Sequence, residues 1–259
     1  MHSIIFHAHQ KIDRVARRNL STLEPSVYFP NIKQILKFEA GRGPDGAKLK
    51  RHEHSQQPWH FINPKEDAES DIHREINFHY SGLIDALIQK DLTRSGFEAS
   101  WLAHALVDGL TPAHHHPYEE ELEKLRGDHR DSRKGLTGRL YVKGSSVTKT
   151  VKKSVKLIGP KGILTSHAMF EAGAFTIIAP LRLAKSVPNS YEIATINKIG
   201  LINYFNKMVE EVNSLNLYER FCKLGWTQSV ARDVKKELAP RMVKTVTLAW
   251  FCAEMEAKK

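Results

Sequence analysis

Cysteine is almost absent from this sequence, which has two among 259 residues, Cys222 and Cys252. Two cysteines cannot build a disulfide framework, and neither has a cysteine neighbour with which to form a zinc knuckle. Long apolar runs are missing too, because polar residues and a proline interrupt the longest apolar patch, residues 173–184. The sequence therefore predicts no transmembrane helix. The first residues do not form a signal-peptide core, so a cytoplasmic location is the simplest expectation.

The composition is ordinary for a globular protein except in its charge. The chain is 41% hydrophobic and 26% charged, with a formal net charge of +10. Such a charge indicates an anionic partner, for which nucleic acid, acidic lipid headgroups and a small phosphate ester are candidates. A solvated basic surface without a specific partner explains the charge equally well.

Alternation of apolar and polar residues, the pattern of a β-strand, is also nearly absent, whereas apolar residues recur at helical spacing along most of the chain. We therefore predict an all-α fold, with one multi-helix domain over residues 1–259. Residues 41–64 are predicted to form a long loop, and residues 191–215 a single helix. A break is expected near Pro240 in the last helix. The Gly-, Ser- and Lys-rich residues 127–161 fit either a mobile basic arm or a partial helix.

The most informative segment is the apolar stretch from Trp101 to His114. His104 and Asp108 are four residues apart, so they share one face of the predicted helix. His114 follows a glycine and a proline, which should end the helix and redirect the third side chain. Imidazole and carboxylate are common zinc ligands, so the segment is predicted to bind metal.

Other segments hold further candidate ligands. His167 and Glu171 form a second pair at helical spacing, and Asp45, His60 and either His7 or His9 precede them in the chain. Each has an ordinary explanation as well. A histidine and a carboxylate at this spacing can form a buried hydrogen-bonded pair or an ion pair, and Pro-Asp-Gly is a common turn sequence.

The order of the whole set resembles the superfamily of zinc-dependent phospholipases C and fungal-type single-strand nucleases. The resemblance spans residues 7–171 and includes an early histidine, a Gly/Pro-rich turn with an aspartate, Trp-His-aromatic, His-x3-Asp-x5-His and His-x3-Glu. It implies an all-helical fold of the phospholipase C type with a zinc cluster between helices, with two zinc sites and room for a third.

The resemblance also implies a ligand set. The first zinc would be bound by Asp45, His60, His104 and Asp108; the second by His114, His167 and Glu171; and the third by His9 together with a bridging Asp108. His9 is preferred to His7 because Ile12 and Ala16 follow it as apolar residues follow the family's first histidine. The family's N-terminal tryptophan, which completes the third site, has no counterpart here, and the disulfides of the nuclease branch are missing.

A zinc cluster of this kind implies hydrolysis of phosphodiester bonds by metal-activated water, with Asp45 as a metal ligand and candidate general base. Direct attack by zinc-bound hydroxide explains the reaction equally well, because a carboxylate bound to zinc is a weak base. The substrate is expected to be a phospholipid headgroup, or alternatively a single-stranded nucleic acid. Lysines shortly before His167 could grip a phosphate backbone or an anionic membrane, or could form a solvated helix face (Lys149, Lys152, Lys153, Lys156 and Lys161). A non-catalytic, zinc-stabilised helical module that binds phosphorylated partners is the third hypothesis, and a metal-free helical bundle is the simplest one.

Overall fold

The structure is a computed structural model that describes residues 2–24, 28–39, 42–44, 61–64, 70–127 and 142–259, without the side chains of residues 2–8 and 119. Helices make up 76% of this part of the chain, and it contains no β-strand, which confirms the all-α prediction. None of the helices found there is long and apolar enough to cross a membrane.

The described helices follow one another in the order of the chain. They are α1 (His2–Leu23), α2 (Ile32–Leu36), α3 (Asp71–Ile88), α4 (Leu92–Gly109), a 3₁₀ turn (Pro112–His115), α5 (Tyr118–Arg126), α6 (Val147–Ile158), α7 (Ile163–Ile178), α8 (Ser190–Ile199), α9 (Leu201–Ser214), α10 (Leu217–Leu224), α11 (Gln228–Asp233), a π-helical segment (Val234–Leu238) and α12 (Ala239–Ala257).

Helix α4, which carries the central motif, begins at a side-chain cap. The Asp91 carboxylate accepts hydrogen bonds from the backbone N–H groups of Thr93 and Arg94, both at 3.0 Å. These are two of the N–H groups that have no partner inside a helix, and such a cap contributes about 1 kcal/mol. The cap fixes where α4 starts and therefore which of its residues face the core.

The main core lies where α1, α3 and α4 pack around the C-terminal helix α12. Trp250 on α12 is fully buried, and its indole N–H donates to the carbonyl oxygen of Ala99 on α4 at 3.1 Å. Truncation of a buried tryptophan typically costs about 3–5 kcal/mol. Helix α4 is thus held on several sides, which gives its polar residues a rigid support.

A second, smaller apolar cluster joins α5, α6 and the segment that precedes α6. Its buried members are Tyr118, Leu122, Val142 and Leu157, and Phe61 packs against them. Residues 127–161 were predicted to form either a mobile basic arm or a partial helix. Within them, Val147–Ile158 form helix α6. Residues 128–141 of that region, like residues 45–60 of the predicted loop, lie outside the described residues.

The prediction of one helix over residues 191–215 is wrong. Gly200 has φ 80° and ψ 165°, a conformation that essentially only glycine adopts, and it separates α8 from α9. The expected break near Pro240 is present as the π-helical segment Val234–Leu238, which ends just before it. Because proline has no N–H, the helix at this point cannot keep its regular hydrogen bonds.

Candidate metal centre

The first cluster consists of His9 on α1 and His104 and Asp108 on α4. All three side chains are buried, and one ligand atom of each lies within 4.8 Å of the others. The Asp108 carboxylate lies between the two imidazoles, with Oδ1 3.5 Å from His9 Nε2 and Oδ2 3.3 Å from His104 Nε2. The imidazole rings stack with centroids 4.1 Å apart. Two nitrogens and a carboxylate therefore converge on one buried point.

Helical geometry explains this convergence. His104 and Asp108 are one turn apart on α4, so their side chains emerge on the same face. On α1, Ile12 and Ala16 are fully buried in the core. His9 lies on the same face of α1 as these two residues, so it faces α4. The burial of α1 against α4 thus supplies the third candidate ligand, His9, from a distant part of the chain.

Two further acidic residues, Asp13 and Glu39, lie beside the first cluster and were missed in the sequence. Glu39 Oε1 is 3.9 Å from His104 Nδ1 and accepts a hydrogen bond from Ser100 at 3.2 Å. Asp13 is buried, and burial, followed by the negative charge of Glu39, raises its pKa well above the usual value. The spacing of Asp13 from His9, four residues on one helix, was a signal for it. No comparable signal marks Glu39, because it lies after the short helix α2.

The chain between the clusters turns sharply after Asp108. Gly109 is close to α3 and α9, and an added Cβ would lie only 2.4 Å from Phe205 Cζ. The 3₁₀ turn at Pro112–His115 follows, and Thr111 Oγ1 donates to the carbonyl oxygen of Val107 at 2.9 Å. A glycine and a proline therefore end α4 as expected. As a result, the His114 side chain does not lie where it would if α4 continued.

The second cluster consists of His114 on this turn and His167 and Glu171 on α7. Glu171 Oε1 is 2.8 Å from His114 Nε2 and 3.2 Å from His167 Nε2. The two imidazole rings are nearly parallel, with centroids 5.1 Å apart. His114 is buried, whereas His167 and Glu171 are partly exposed. This cluster is thus closer to solvent than the first.

The hydrogen bonds of His114 determine whether a proton or a metal ion can lie between its Nε2 and the Glu171 carboxylate. Its Nδ1–H donates to the backbone carbonyl oxygen of Asp108 at 2.8 Å. In a neutral imidazole the other nitrogen, Nε2, is then an acceptor, and so is the Glu171 carboxylate. Two acceptors at 2.8 Å need a proton or a metal ion between them. The donor set of this cluster therefore fits a cation, and a zinc ion would suit it.

Electrostatics keep Glu171 ionised. Burial alone would raise the pKa of its carboxyl group, but the charge of His167 and the hydrogen bond from His114 outweigh burial and hold the pKa well below its usual value. The positive charge beside this carboxylate is that of protonated imidazoles; metal binding requires neutral imidazoles, with the metal ion supplying the positive charge instead.

A cavity of about 610 Å³ opens beside His114. Aromatic side chains line it, among them Phe61, Tyr118 and Tyr218. Phe61 stacks on Tyr118 with centroids 5.1 Å apart and also lies against the rings of His114 and His167. The cavity volume lies in the range of small-molecule sites, roughly 300–1,000 Å³. The second cluster therefore borders a space that can hold a ligand.

The structure brings together six of the eight predicted metal ligands, in two groups of three: His9, His104 and Asp108, then His114, His167 and Glu171. Asp45 and His60, predicted for the first site, lie outside the described residues. The predicted grouping differs in one respect, because His9 lies with His104 as well as with Asp108. The side chain of His7, the alternative to His9, also lies outside the described residues.

Three histidines outside both clusters have hydrogen-bond partners of their own. His73 accepts from the backbone N–H of Ser70 through Nδ1, with Asn206 at its Nε2, and His79 pairs with Glu98 at 2.7 Å. His115 donates to the carbonyl oxygen of Gly109 at 2.8 Å, and burial lowers its pKa to about 4. All three stabilise the scaffold around the clusters.

Comparisons with protein-family models, with curated proteins and with solved structures found no match to this chain.

Proposed function

We propose that this protein is a zinc-dependent hydrolase of phosphodiester bonds, of the phospholipase C type in fold and chemistry. The observation that supports the proposal is the pair of clusters, each with two imidazoles and one carboxylate, joined through Asp108. Two histidines and a carboxylate are the protein ligands of several hydrolytic zinc sites, in which a fourth position stays open for water or substrate.

In this proposal the two clusters divide the metal ligands between them. His9, His104 and Asp108 would hold one ion, and His114, His167 and Glu171 a second. The resemblance implies that Asp45 and His60 would add ligands to the first ion, with Asp45 as catalytic residue. It also implies that Asp108 would bridge to a third ion, if that ion is bound. Zinc would supply Lewis acidity and lower the pKa of a nearby water molecule.

The residues of the chain contribute orientation and charge. Asp108 and Glu171 offset the positive charge of bound metal, and the Asp108 carbonyl holds His114 in the tautomer that presents Nε2 to the second cluster. Glu39 lies 3.9 Å from the opposite nitrogen of His104, and its negative charge would favour that ring orientation from behind. These contacts would keep the ligands in place while substrate binds and leaves.

The cavity favours a lipid headgroup over a nucleic acid strand. Its described lining contains Glu120, Glu219 and three aromatic rings but no lysine or arginine. A strand of nucleic acid needs cations along its phosphates. A choline-like ammonium group is instead attracted to aromatic faces and carboxylates. We therefore place a phospholipid with a cationic headgroup first, and a single-stranded nucleic acid second.

The test combines metal analysis with hydrolysis of three substrates: a chromogenic phosphodiester, a phosphorylcholine ester and single-stranded DNA. The purified protein is expected to contain about two zinc ions per chain and to hydrolyse the phosphorylcholine ester fastest. Glu171→Gln should lose about one zinc and lower the rate at least about a hundredfold. Glu237→Gln, which removes a carboxylate paired with Arg241 outside both clusters, is the matched control.

Each result has a defined meaning. Fewer than about one zinc per chain would overturn the metal centre itself. Stoichiometric zinc without turnover of any substrate would favour the non-catalytic module that binds phosphorylated partners. Faster cleavage of DNA than of the phosphorylcholine ester would reverse the order of the two substrate classes.

A further inference from the structure

The positive charge of this protein is concentrated in one segment. Residues 132–170 contain nine lysines and arginines and no aspartate or glutamate. The rest of the chain holds 30 basic and 29 acidic residues, so it is almost neutral. Helix α6 (Val147–Ile158) lies in the middle of this segment. An anionic partner would therefore be attracted to this segment.

Helix α6 is attached to the protein along one narrow side. Leu157 is fully buried in the smaller apolar cluster, and Thr150 and Ser154 beside it are half-buried. Thr150 also accepts a hydrogen bond from the backbone N–H of Gly144 at 2.9 Å. The remaining faces of the helix point outward.

One outward face is an apolar stripe, formed by Val147, Val151, Val155 and Ile158. These side chains are 83%, 56%, 57% and 52% exposed, respectively. Since successive residues of an α-helix are about 100° apart, all four fall within a sector of about 80°. Branched apolar side chains are rarely left in water together on one face of a helix, so this stripe indicates a contact.

A basic sector adjoins the apolar stripe. Lys149, Lys152, Lys153 and Lys156 cover the next part of the helix surface, with Lys152 about 60° beyond Val155 around the axis. None of the four forms a salt bridge with a carboxylate of the described residues, and three are exposed, with Lys153 half-buried. The outward side of α6 thus presents valines and free ammonium groups next to each other.

We propose that α6 is an interfacial helix that binds the surface of an anionic phospholipid membrane. The apolar stripe would enter the boundary between headgroups and acyl chains, while the lysines contact acidic headgroups beside it. Amphipathic helices of this composition bind membranes because they bury apolar side chains in the bilayer and because their lysines are attracted to anionic headgroups. The helix is too short to span a bilayer, so it would lie in the plane of the surface.

The apolar stripe distinguishes this partner from nucleic acid. Single-stranded nucleic acid binds to lysines together with aromatic rings on which its bases stack. Helix α6 has the lysines but no aromatic residue, and branched aliphatic side chains give a base no stacking surface. A second copy of this chain is disfavoured as well, because two α6 helices facing each other would bring like charges together.

The position of α6 places the membrane near the second cluster. Helix α7, which carries His167 and Glu171, begins five residues after α6 ends. Phe61 packs against the same small apolar cluster as Leu157 and also lies against the His167 ring. Binding to the surface nevertheless involves neither metal ligands nor hydrolysis, so the proposal goes beyond the proposed function and does not depend on it.

The test is co-sedimentation of the full chain with vesicles. Binding to phosphatidylcholine vesicles that contain phosphatidylserine should exceed binding to pure phosphatidylcholine at least about tenfold and weaken as salt is added. Val151→Ser with Val155→Ser should lower binding about tenfold, because it removes apolar area without changing charge. Lys152→Gln with Lys156→Gln should lower it to a similar degree by removing charge.

The control is Ile88→Ser with Leu224→Ser, which alters two residues that are exposed to a similar extent elsewhere (58% and 74%) and should leave binding unchanged. Asp108→Asn, checked for folding by circular dichroism, should still bind vesicles, which separates this surface from the metal centre. Equal binding by the wild type and the valine variant would overturn the proposal. So would binding to single-stranded DNA but not to vesicles, or a dimer in sedimentation that the valine variant abolishes.

Discussion

Glu39 lies behind His104, one of the candidate metal ligands. The carboxylate of Glu39 lies 3.9 Å from His104 Nδ1 and is held by Ser100. A carboxylate behind a metal-binding histidine orients the ring and makes its other nitrogen a better ligand. The pairing is thus expected to matter for metal affinity more than for folding.

We predict that Glu39→Gln lowers zinc affinity about tenfold, with little change in the far-ultraviolet circular dichroism spectrum. The amide of the substituted side chain can still accept from Ser100, but it no longer carries the negative charge that attracts His104. Competition with a fluorescent chelator gives the affinity. Glu254→Gln, a change at another buried carboxylate that lies near Lys258 instead, should keep the wild-type value. An unchanged affinity in Glu39→Gln would show that Glu39 does not act on the metal.

His79 and Glu98 form a buried ion pair between α3 and α4, away from both clusters. His79 Nδ1 is 2.7 Å from Glu98 Oε2, and its Nε2 is 3.5 Å from Glu75 Oε2. Burial lowers the pKa of His79, but the hydrogen bonds and charges of the two glutamates outweigh burial and raise it above the usual 6.5. The folded protein therefore binds this proton more tightly than the unfolded chain does.

This pair predicts a pH-dependent stability. A raised pKa in the folded state stabilises the fold fully below about pH 6.5, and this stabilisation is lost as the pH rises through the raised value. Glu98→Gln should lower the free energy of unfolding by about 1–3 kcal/mol at pH 6, and by less at pH 9. Urea unfolding of both proteins at the two pH values measures the difference, and a loss of equal size at both would contradict the prediction.

At the scale of elements, the sequence predicted best where a pattern is local. Helix α4 and its end were predictable, because apolar spacing defines the helix and Gly109 and Pro112 define its end. The break at Gly200 was missed, since the flanking residues keep helical spacing and only the backbone angles of the glycine reveal it.

The residues of the two clusters were likewise predictable only where the pattern is local. The pairs His104–Asp108 and His167–Glu171 were predictable because each lies on one helix face. Glu39 reaches His104 and Glu98 reaches His79 from other elements, and long-range packing decides which of many acidic residues arrives there. No periodicity in the sequence carries that information. The assignment of Asp45 and His60 stays a prediction, as does the phospholipase C type of the fold.

For the whole molecule, metal removal should affect stability as well as activity. Both clusters bring buried imidazoles and carboxylates together, and a ligand that binds only the folded state stabilises it by roughly 3–4 kcal/mol when present at 100–1,000 times its dissociation constant. For a chain of this length we expect chelation with EDTA to lower the melting temperature by about 5–15 °C.

Thermal unfolding followed by circular dichroism, with EDTA and then with excess zinc, measures this shift. The double variant Asp108→Asn with Glu171→Gln serves as the comparison, because it should melt at a temperature that neither treatment changes. A wild type that is equally insensitive to EDTA would mean that the clusters hold their charges without metal.

Asp108 takes part in the first cluster through its carboxylate and in the second through its carbonyl oxygen, which accepts from His114. Occupancy at one site will therefore alter the position of a ligand at the other. By thermodynamic linkage the effect is reciprocal: if the first ion changes the affinity for the second by some factor, the second changes the affinity for the first by the same factor. An ion held by the Asp108 carboxylate should also fix the carbonyl oxygen that orients His114, so the coupling is expected to be positive. Zinc titration should then show cooperative filling, in which the protein passes from empty to fully loaded over a narrow range of free zinc.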